Sequence, residues 1–224
     1  FEDLSGGVVS AWQRYQSLIT AWPKPLAPQT LVLKFKLETA EVELTGDLLQ
    51  LHENDAGAKA ILSVVAQALL KKDAISYHRL MPDWVRHLAA CAAGLAVTTL
   101  IVSADAILKI EPLDAADAHD CLQNLLSSWH TGLQAPLPVE IKTASVGLAQ
   151  GKPQDMRKKY EGADSGADWS KGVVDYDAYL RRFFPDFDAL NPGHPEDRSS
   201  FDYWANRLYK TAFEQIKPVQ GESQ

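Results

Sequence analysis

Cysteine, positive charge and long apolar runs are all scarce in this chain of 224 residues. Only Cys91 and Cys121 are present, and both fall in helix-like apolar patterns, so they read as reduced core thiols of a cytosolic protein and not as a disulfide. No apolar run reaches the roughly 18 residues a bilayer-spanning helix needs, and no signal-peptide pattern opens the chain. The expected location is therefore the cytoplasm, with no membrane partner. Phe1 stands where an initiator methionine would, which reads as a piece cut from a longer protein. The formal charge of −7 and pI near 5.3 argue against a solitary nucleic-acid-binding module. No Gly-rich phosphate loop is present, which excludes an ATP motor in this piece. No Cys or His pair has zinc spacing, no Gly-x-Ser-x-Gly elbow occurs, and neither cysteine has an evident histidine partner. His87, one helical turn from Trp84, reads as a packed residue. No cofactor is expected.

What is present organises around Thr30–Lys71. Leu31, Leu33, Phe35 and Leu37 alternate with Val32, Lys34, Lys36 and Glu38, the period of a half-buried strand. Glu41–His52 follows as a second strand, and Asn54-Asp55-Ala56-Gly57 supplies turn residues. Ala60–Leu70 is a third apolar run, readable as a buried strand or, from Ile61, Val65 and Leu69, as a helix. Three neighbouring strands with short links predict a meander, the start of a sheet with helices beside it.

Around this stretch the pattern is mostly helical. Val8, Trp12, Tyr15, Ile19 and Trp22 form a stripe stopped by Pro23, and three prolines between Trp22 and Pro28 make an extended link. Asp73–Ala93 reads as a helix restarted at Pro82, with Trp84, Val85, Leu88, Ala89 and Ala92 on its apolar face and Gly94 past its end. Thr98–Val102 and Ala106–Ile110 predict a hairpin around Ser103-Ala104-Asp105. Asp114 caps a helix whose stripe is Ala118, Leu122, Leu125 and Trp129, ended by Gly132. Ala144–Tyr160 is helix in pieces, Glu161–Gly172 an acidic loop, Asp175–Phe184 a helix, Asn191–Arg198 a loop and Ser200–Ile216 a last helix striped by Phe201, Trp204, Leu208, Ala212 and Phe213. The arrangement predicts one domain over residues 1–217, comprising a leading helix and link (1–29), a core (30–160) and a helical C-terminal part (161–217), with a polar tail at 218–224.

The basic pairs and triplets are ordinarily solvated helix faces. Arg157, Lys158, Lys159, Arg181 and Arg182 are nonetheless the candidates for phosphate contact, and Trp169, an apolar ring in the acidic loop, is a candidate for a partner's pocket.

Asp83-Trp84-Val85-Arg86-His87-Leu88 with Cys91-Ala92-Ala93-Gly94 resembles the W-x-x-H-L…A-x-G helix of the exodeoxyribonuclease V gamma chain family, RecC, in its C-terminal domain. Further motifs keep the same order: Gly132-Leu133-Gln134-Ala135-Pro136-Leu137-Pro138, Lys142-Thr143-Ala144, Tyr160-Glu161-Gly162, Arg181-Arg182-Phe183-Phe184-Pro185, and Phe201 with Trp204-Ala205-Asn206-Arg207-Leu208-Tyr209. The resemblance implies an α/β fold with a mixed β-sheet flanked by helices, a restriction-endonuclease-like PD-(D/E)XK core whose catalytic residues are lost. It also implies RecB-like and RecD-like partner subunits in a helicase–nuclease that repairs double-strand breaks.

Active relatives need an acid on one strand and an acid-x-lysine on the next, the carboxylates holding Mg²⁺ and the lysine orienting water. The first acid comes three residues after a glycine. Here Gly46 is followed at that spacing by Leu49, and Asp47 sits about 6.6 Å back along the strand. Counting back from Trp84 puts the acid-x-lysine in Val64-Val65-Ala66-Gln67-Ala68, and a later register puts it at Ser76-Tyr77-His78. Neither retains the carboxylate and lysine. The expectation is a non-catalytic scaffolding and DNA-guiding domain with no metal, Asp47 being the one weak candidate ligand. The alternatives are a nuclease with migrated acids (Asp47, Glu43, Glu41) and a protein-binding module unrelated to DNA.

Overall fold

The computed structural model describes residues 2–71, 74–163, 171–193 and 197–219. Its Cα packing divides the chain into two compact units, one of Phe1–Gln123 with Glu214–Gln224 and one of Asn124–Phe213.

The first unit opens with helix α1 (Glu2–Ala21), then β1 (Lys24–Pro25), β2 (Gln29–Lys36), β3 (Glu41–Leu48), β4 (Leu51–Glu53), β5 (Lys59–Val64), β6 (Leu70–Lys71) and β7 (Ala74–Ile75). A 3₁₀ turn at Tyr77–Arg79 leads into α2 (Met81–Ala92), and β8 (Val97–Val102) and β9 (Ile107–Ile110) follow. Helix α3 (Ala115–Gly132) leaves the unit, and β10 (Lys217–Pro218) returns to it. The main sheet runs β1-β4-β5-β8-β9-β10. β5 and β8 are parallel, joined through α2, and the other neighbours are antiparallel. The fold is α/β, a mixed sheet flanked by helices.

Alternation along β8 assigns the two faces. Leu100 and Val102 join Ala60, Leu62 and Ile107 in a cluster with Ala11, Tyr15, Leu18 and Ile19 of α1. Thr99 and Ile101 point the other way, where Thr99 meets His87 of α2 at 2.9 Å. α2 begins with Pro82 in its first turn, where its missing N–H is no loss. It ends at Ala93, with Gly94 at φ +82° taking the left-handed position that favours glycine. The hairpin at Ser103–Asp105 is held by Asp105, which accepts from the Leu69 and Leu70 amides, each at 2.8 Å, and from the Ser103 hydroxyl at 2.7 Å. Burial alone would raise the Asp105 carboxyl, but these bonds hold it below the usual carboxylate range. Asp114 caps α3 through the Ala116 amide.

Several expectations need correction. The meander is split between sheets: β2 and β3 form their own two-stranded sheet, and Gln50, at φ +58°, turns the chain into β4 of the main sheet. Glu41–His52 is thus two strands, because the register kept by the Leu44–Leu33 and Leu48–Gln29 pairs ends at Leu48. The Ala60–Leu70 run resolves as a strand up to Val64, since its apolar side chains are needed on both faces of a central strand. The helix expected from Asp73 starts at Met81, and β7 and the 3₁₀ turn occupy the described residues before it. On α1, Val8 and Trp12 are more than half exposed, while Ala11 is buried and Gly7 half-buried. Small residues let the helix come close: a Cβ on Gly7 would lie 3.4 Å from the Ala104 Cβ. Val85 and Trp129, expected in buried stripes, are exposed.

The second unit is helical: α4 (Ile141–Leu148), α5 (Pro153–Glu161), α6 (Val173–Tyr176), α7 (Ala178–Phe183), α8 (Phe187–Leu190) and α9 (Phe201–Gln215). Its core gathers Ala144, Met156, Tyr160, Phe187, Leu190 and Phe201. Carboxylates cap the short helices: Glu140 accepts from the Lys142 and Thr143 amides, Asp177 from Tyr179 and Leu180, and Asp186 from Ala189. The cap on Asp177, with extended backbone, also breaks the single helix expected over Asp175–Phe184 into α6 and α7.

Candidate functional site: an emptied carboxylate position

A phosphodiester-cleaving site on this sheet would need carboxylates converging from adjacent strands. β4 and β5 are the adjacent pair after Gly46, with Leu51 opposite Ile61 and Glu53 opposite Lys59. The Leu62 amide donates to the Gln50 carbonyl at 3.0 Å, so the segment containing Leu49 and Gln50 runs alongside Leu62-Ser63-Val64. β5 reads Lys59-Ala60-Ile61-Leu62-Ser63-Val64 and contains no carboxylate, and its Ala60, Ile61 and Leu62 are fully buried. Glu53, at the far end of β4, lies 3.8 Å from Lys24.

The two registers considered for the acid-x-lysine element fall at different places in the fold. Ala66, Gln67 and Ala68 lie in the connection after β5, and Ser76, Tyr77 and His78 lie in and before the 3₁₀ turn. The first register begins on the last residue of β5, Val64, and runs on past the strand, and the second follows β7. Leu49 is in the β3–β4 connection and is about half exposed.

The three acids considered as migrated ligands stand on β3. Asp47 accepts the Thr30 hydroxyl at 2.7 Å, Glu43 faces Lys34 at 3.9 Å, and Glu41 is paired in register with Lys36. They follow one another along a strand, spaced about 6.6 Å for each two residues. Among the described residues no group of three or more His, Cys, Asp or Glu side chains is arranged to hold a metal ion.

The basic candidates belong to the second unit. Arg157 is committed there: it pairs with Glu161 at 3.0 Å and with Asp188, and lies 5.4 Å over the Phe187 ring. Its guanidinium holds the Asp188 carboxyl below the usual range. Arg181 donates to the Asp175 carbonyl at 2.7 Å. Lys158, Lys159 and Arg182 are exposed, and Arg182 lies 5.8 Å from the centre of the Phe183 ring. Sequence reasoning passed over Tyr176 at the end of α6 and Tyr179 on α7, which with Phe183 are exposed aromatic rings near these arginines in the chain. Trp169 falls outside the described residues.

A family model described as the RecC C-terminal domain matches residues 1–152. The chain belongs to the RecC C-terminal domain family. The match covers the whole of the sheet between β1 and β9 and ends before α5, so the RecC motifs quoted beyond residue 152 lie outside it. RecC membership implies a place in an assembly of several subunits. No curated protein matches the chain in sequence. Among the described residues, no helix of this RecC-family chain is long and apolar enough to cross a membrane.

Proposed function

We propose that residues 1–217 act as a nuclease-like domain without catalysis, the C-terminal part of a RecC-like subunit. It docks RecB-like and RecD-like subunits of an ATP-dependent helicase–nuclease and guides DNA strands in double-strand-break repair. The observation that carries the reading is β5. In a chain that belongs to the RecC family, β5, the strand beside β4, is apolar from Ala60 to Leu62 and bears no acid, and Val64-Val65-Ala66-Gln67-Ala68 at its end is uncharged. Arg157 and Arg181 serve the packing of the second unit, which leaves Lys158, Lys159 and Arg182 as the groups for phosphate contact. The domain works in the cytoplasm and needs no cofactor.

The test is paired. The purified chain is incubated with single- and double-stranded DNA in Mg²⁺ or Mn²⁺, and separately mixed with RecB-like and RecD-like subunits. Copurification without degradation by the chain alone is expected. Metal-dependent cleavage that vanishes in Asp47→Ala would restore the migrated-acid nuclease, and failure to copurify would remove the scaffolding reading.

A further inference from the structure

A groove of about 210 Å³ runs beside β3 and is left open by the first unit. α2 packs against β2, the far strand of the hairpin, so that a gap remains between β3 and the helix. Leu33, Leu44 and Leu48 line it from the strands, and Pro82, Val85 and Ala89 from α2. Gly46 opens it further, since a Cβ there would meet nothing within 4 Å. Val85 is 39% exposed although Trp84 and Leu88 beside it are buried.

β3 pairs with β2 alone among the described residues. In an antiparallel pair, alternate residues direct N–H and C=O away from the partner, so β3 carries a ladder edge eight residues long. It has no proline and its pairing with β2 is unbroken from Glu41 to Leu48, so nothing in its backbone blocks another strand. A two-stranded sheet is also the least stable kind, and a third strand would strengthen it. A strand edge facing a helix across an apolar groove is the geometry that receives an extended peptide.

Charge selects what can enter. β3 carries Glu41, Glu43 and Asp47 and no cation; Asp47 stands at the groove itself, where α2 contributes Arg86, paired with Asp83 at 3.0 Å. On the β2 side these acids meet Lys36, Lys34 and Thr30. A strand on the other side would face the same three carboxylates, where acids would repel and cations attract.

We propose that β3 receives an extended segment of a partner subunit as a third strand, with apolar residues directed into the groove and lysine or arginine opposite Glu41, Glu43 and Asp47. The scaffolding reading enters only in naming the partner as another subunit.

The probe is a blocked peptide of eight residues, the length of β3, alternating valine with lysine. A second peptide has glutamate in place of lysine. The lysine peptide is expected to slow amide exchange within Glu41–Leu48 and to bind at least about tenfold more tightly than the glutamate peptide. Val85→Glu puts a carboxylate in the groove and should weaken binding by about tenfold or more while circular dichroism stays native. Should Val85→Glu fail to fold, Glu41→Lys/Glu43→Lys decides, because neither residue lines the groove and the change should reverse the preference between the peptides. Equal binding of the two peptides, protection elsewhere than β3, or an unreversed preference would overturn the inference. Protection of β3 by a short single-stranded oligonucleotide in place of the peptide would overturn it too. Copurification with partner subunits but no peptide protection sinks this docking site alone. Peptide protection without copurification sinks the scaffolding reading alone.

Discussion

Protonating His87 is a single-atom perturbation with a calculable cost. The ring is fully buried on α2, with Nδ1 2.9 Å from the Thr99 hydroxyl and Nε2 3.6 Å from the Cys91 thiol. Burial pushes its pKa from an ordinary 6.5 down to about 4, opposed only in part by a hydrogen bond with the Glu111 backbone. The folded protein therefore favours the neutral ring, and unfolding takes up a proton at any pH between these two values. Stability is complete above about pH 6.5 and declines as the pH falls toward 4, with no further loss from this group below that. The full difference is about 3 kcal/mol, and about 2 kcal/mol of it is already lost at pH 5. Asp105, whose carboxyl is held low, adds its own acid sensitivity, concentrated below the ordinary carboxylate pKa near 3.9. Urea unfolding at pH 7 and pH 5 should therefore be run on the unaltered chain and on His87→Gln. The variant should start less stable and lose about 2 kcal/mol less between the two conditions. If both proteins lose the same amount, the neutral buried imidazole is not the source of the acid sensitivity and the reasoning fails.

Trp204 is buried on α9, and its indole N–H donates to the Arg198 carbonyl at 2.7 Å. Trp204→Ala should cost about 3–5 kcal/mol in urea unfolding, and a loss under about 1 kcal/mol would make α9 peripheral. Asp105→Ala removes the acceptor shared by the Leu69 and Leu70 amides and should cost about 2 kcal/mol, read by the same assay, with faster exchange at those two amides. The Tyr160 hydroxyl donates to the Phe184 carbonyl at 2.6 Å, and Tyr160→Phe should cost about 1 kcal/mol. With a net charge of −7, the isolated chain should bind duplex DNA weakly at physiological salt. Replacing Lys158, Lys159 and Arg182 together should flatten the salt dependence of that binding, whereas sub-micromolar binding indifferent to salt would contradict the assignment.

Some of this molecule was determined by local sequence. The alternation at Leu31–Leu37, the turn at Ser103–Asp105, the Asp114 cap and the glycine after α2 depend on spacings of a few residues, and each element stands where its pattern put it. That Val64–Ala68 and Ser76–His78 contain no acid-x-lysine is read without coordinates, because no alignment of strands can supply a charge a segment does not contain. Tertiary structure decided what depends on distant partners. Sequence spacing left that missing element in two registers, and only the fold showed that one of them, Val64–Ala68, begins on the end of β5 while the other, Ser76–His78, lies at the 3₁₀ turn. Hydropathy favoured Val8 and Trp12 on α1, yet close packing chose Gly7 and Ala11, because the face that approaches most closely is the smallest, not the most apolar. Arg157 looked like one of three equivalent cations until folding brought Asp188, 31 residues away, against it. The open edge of β3 is likewise invisible in one dimension. It exists because Gln50 sends the chain into a different sheet, leaving a regular strand that among the described residues has a neighbour on one side.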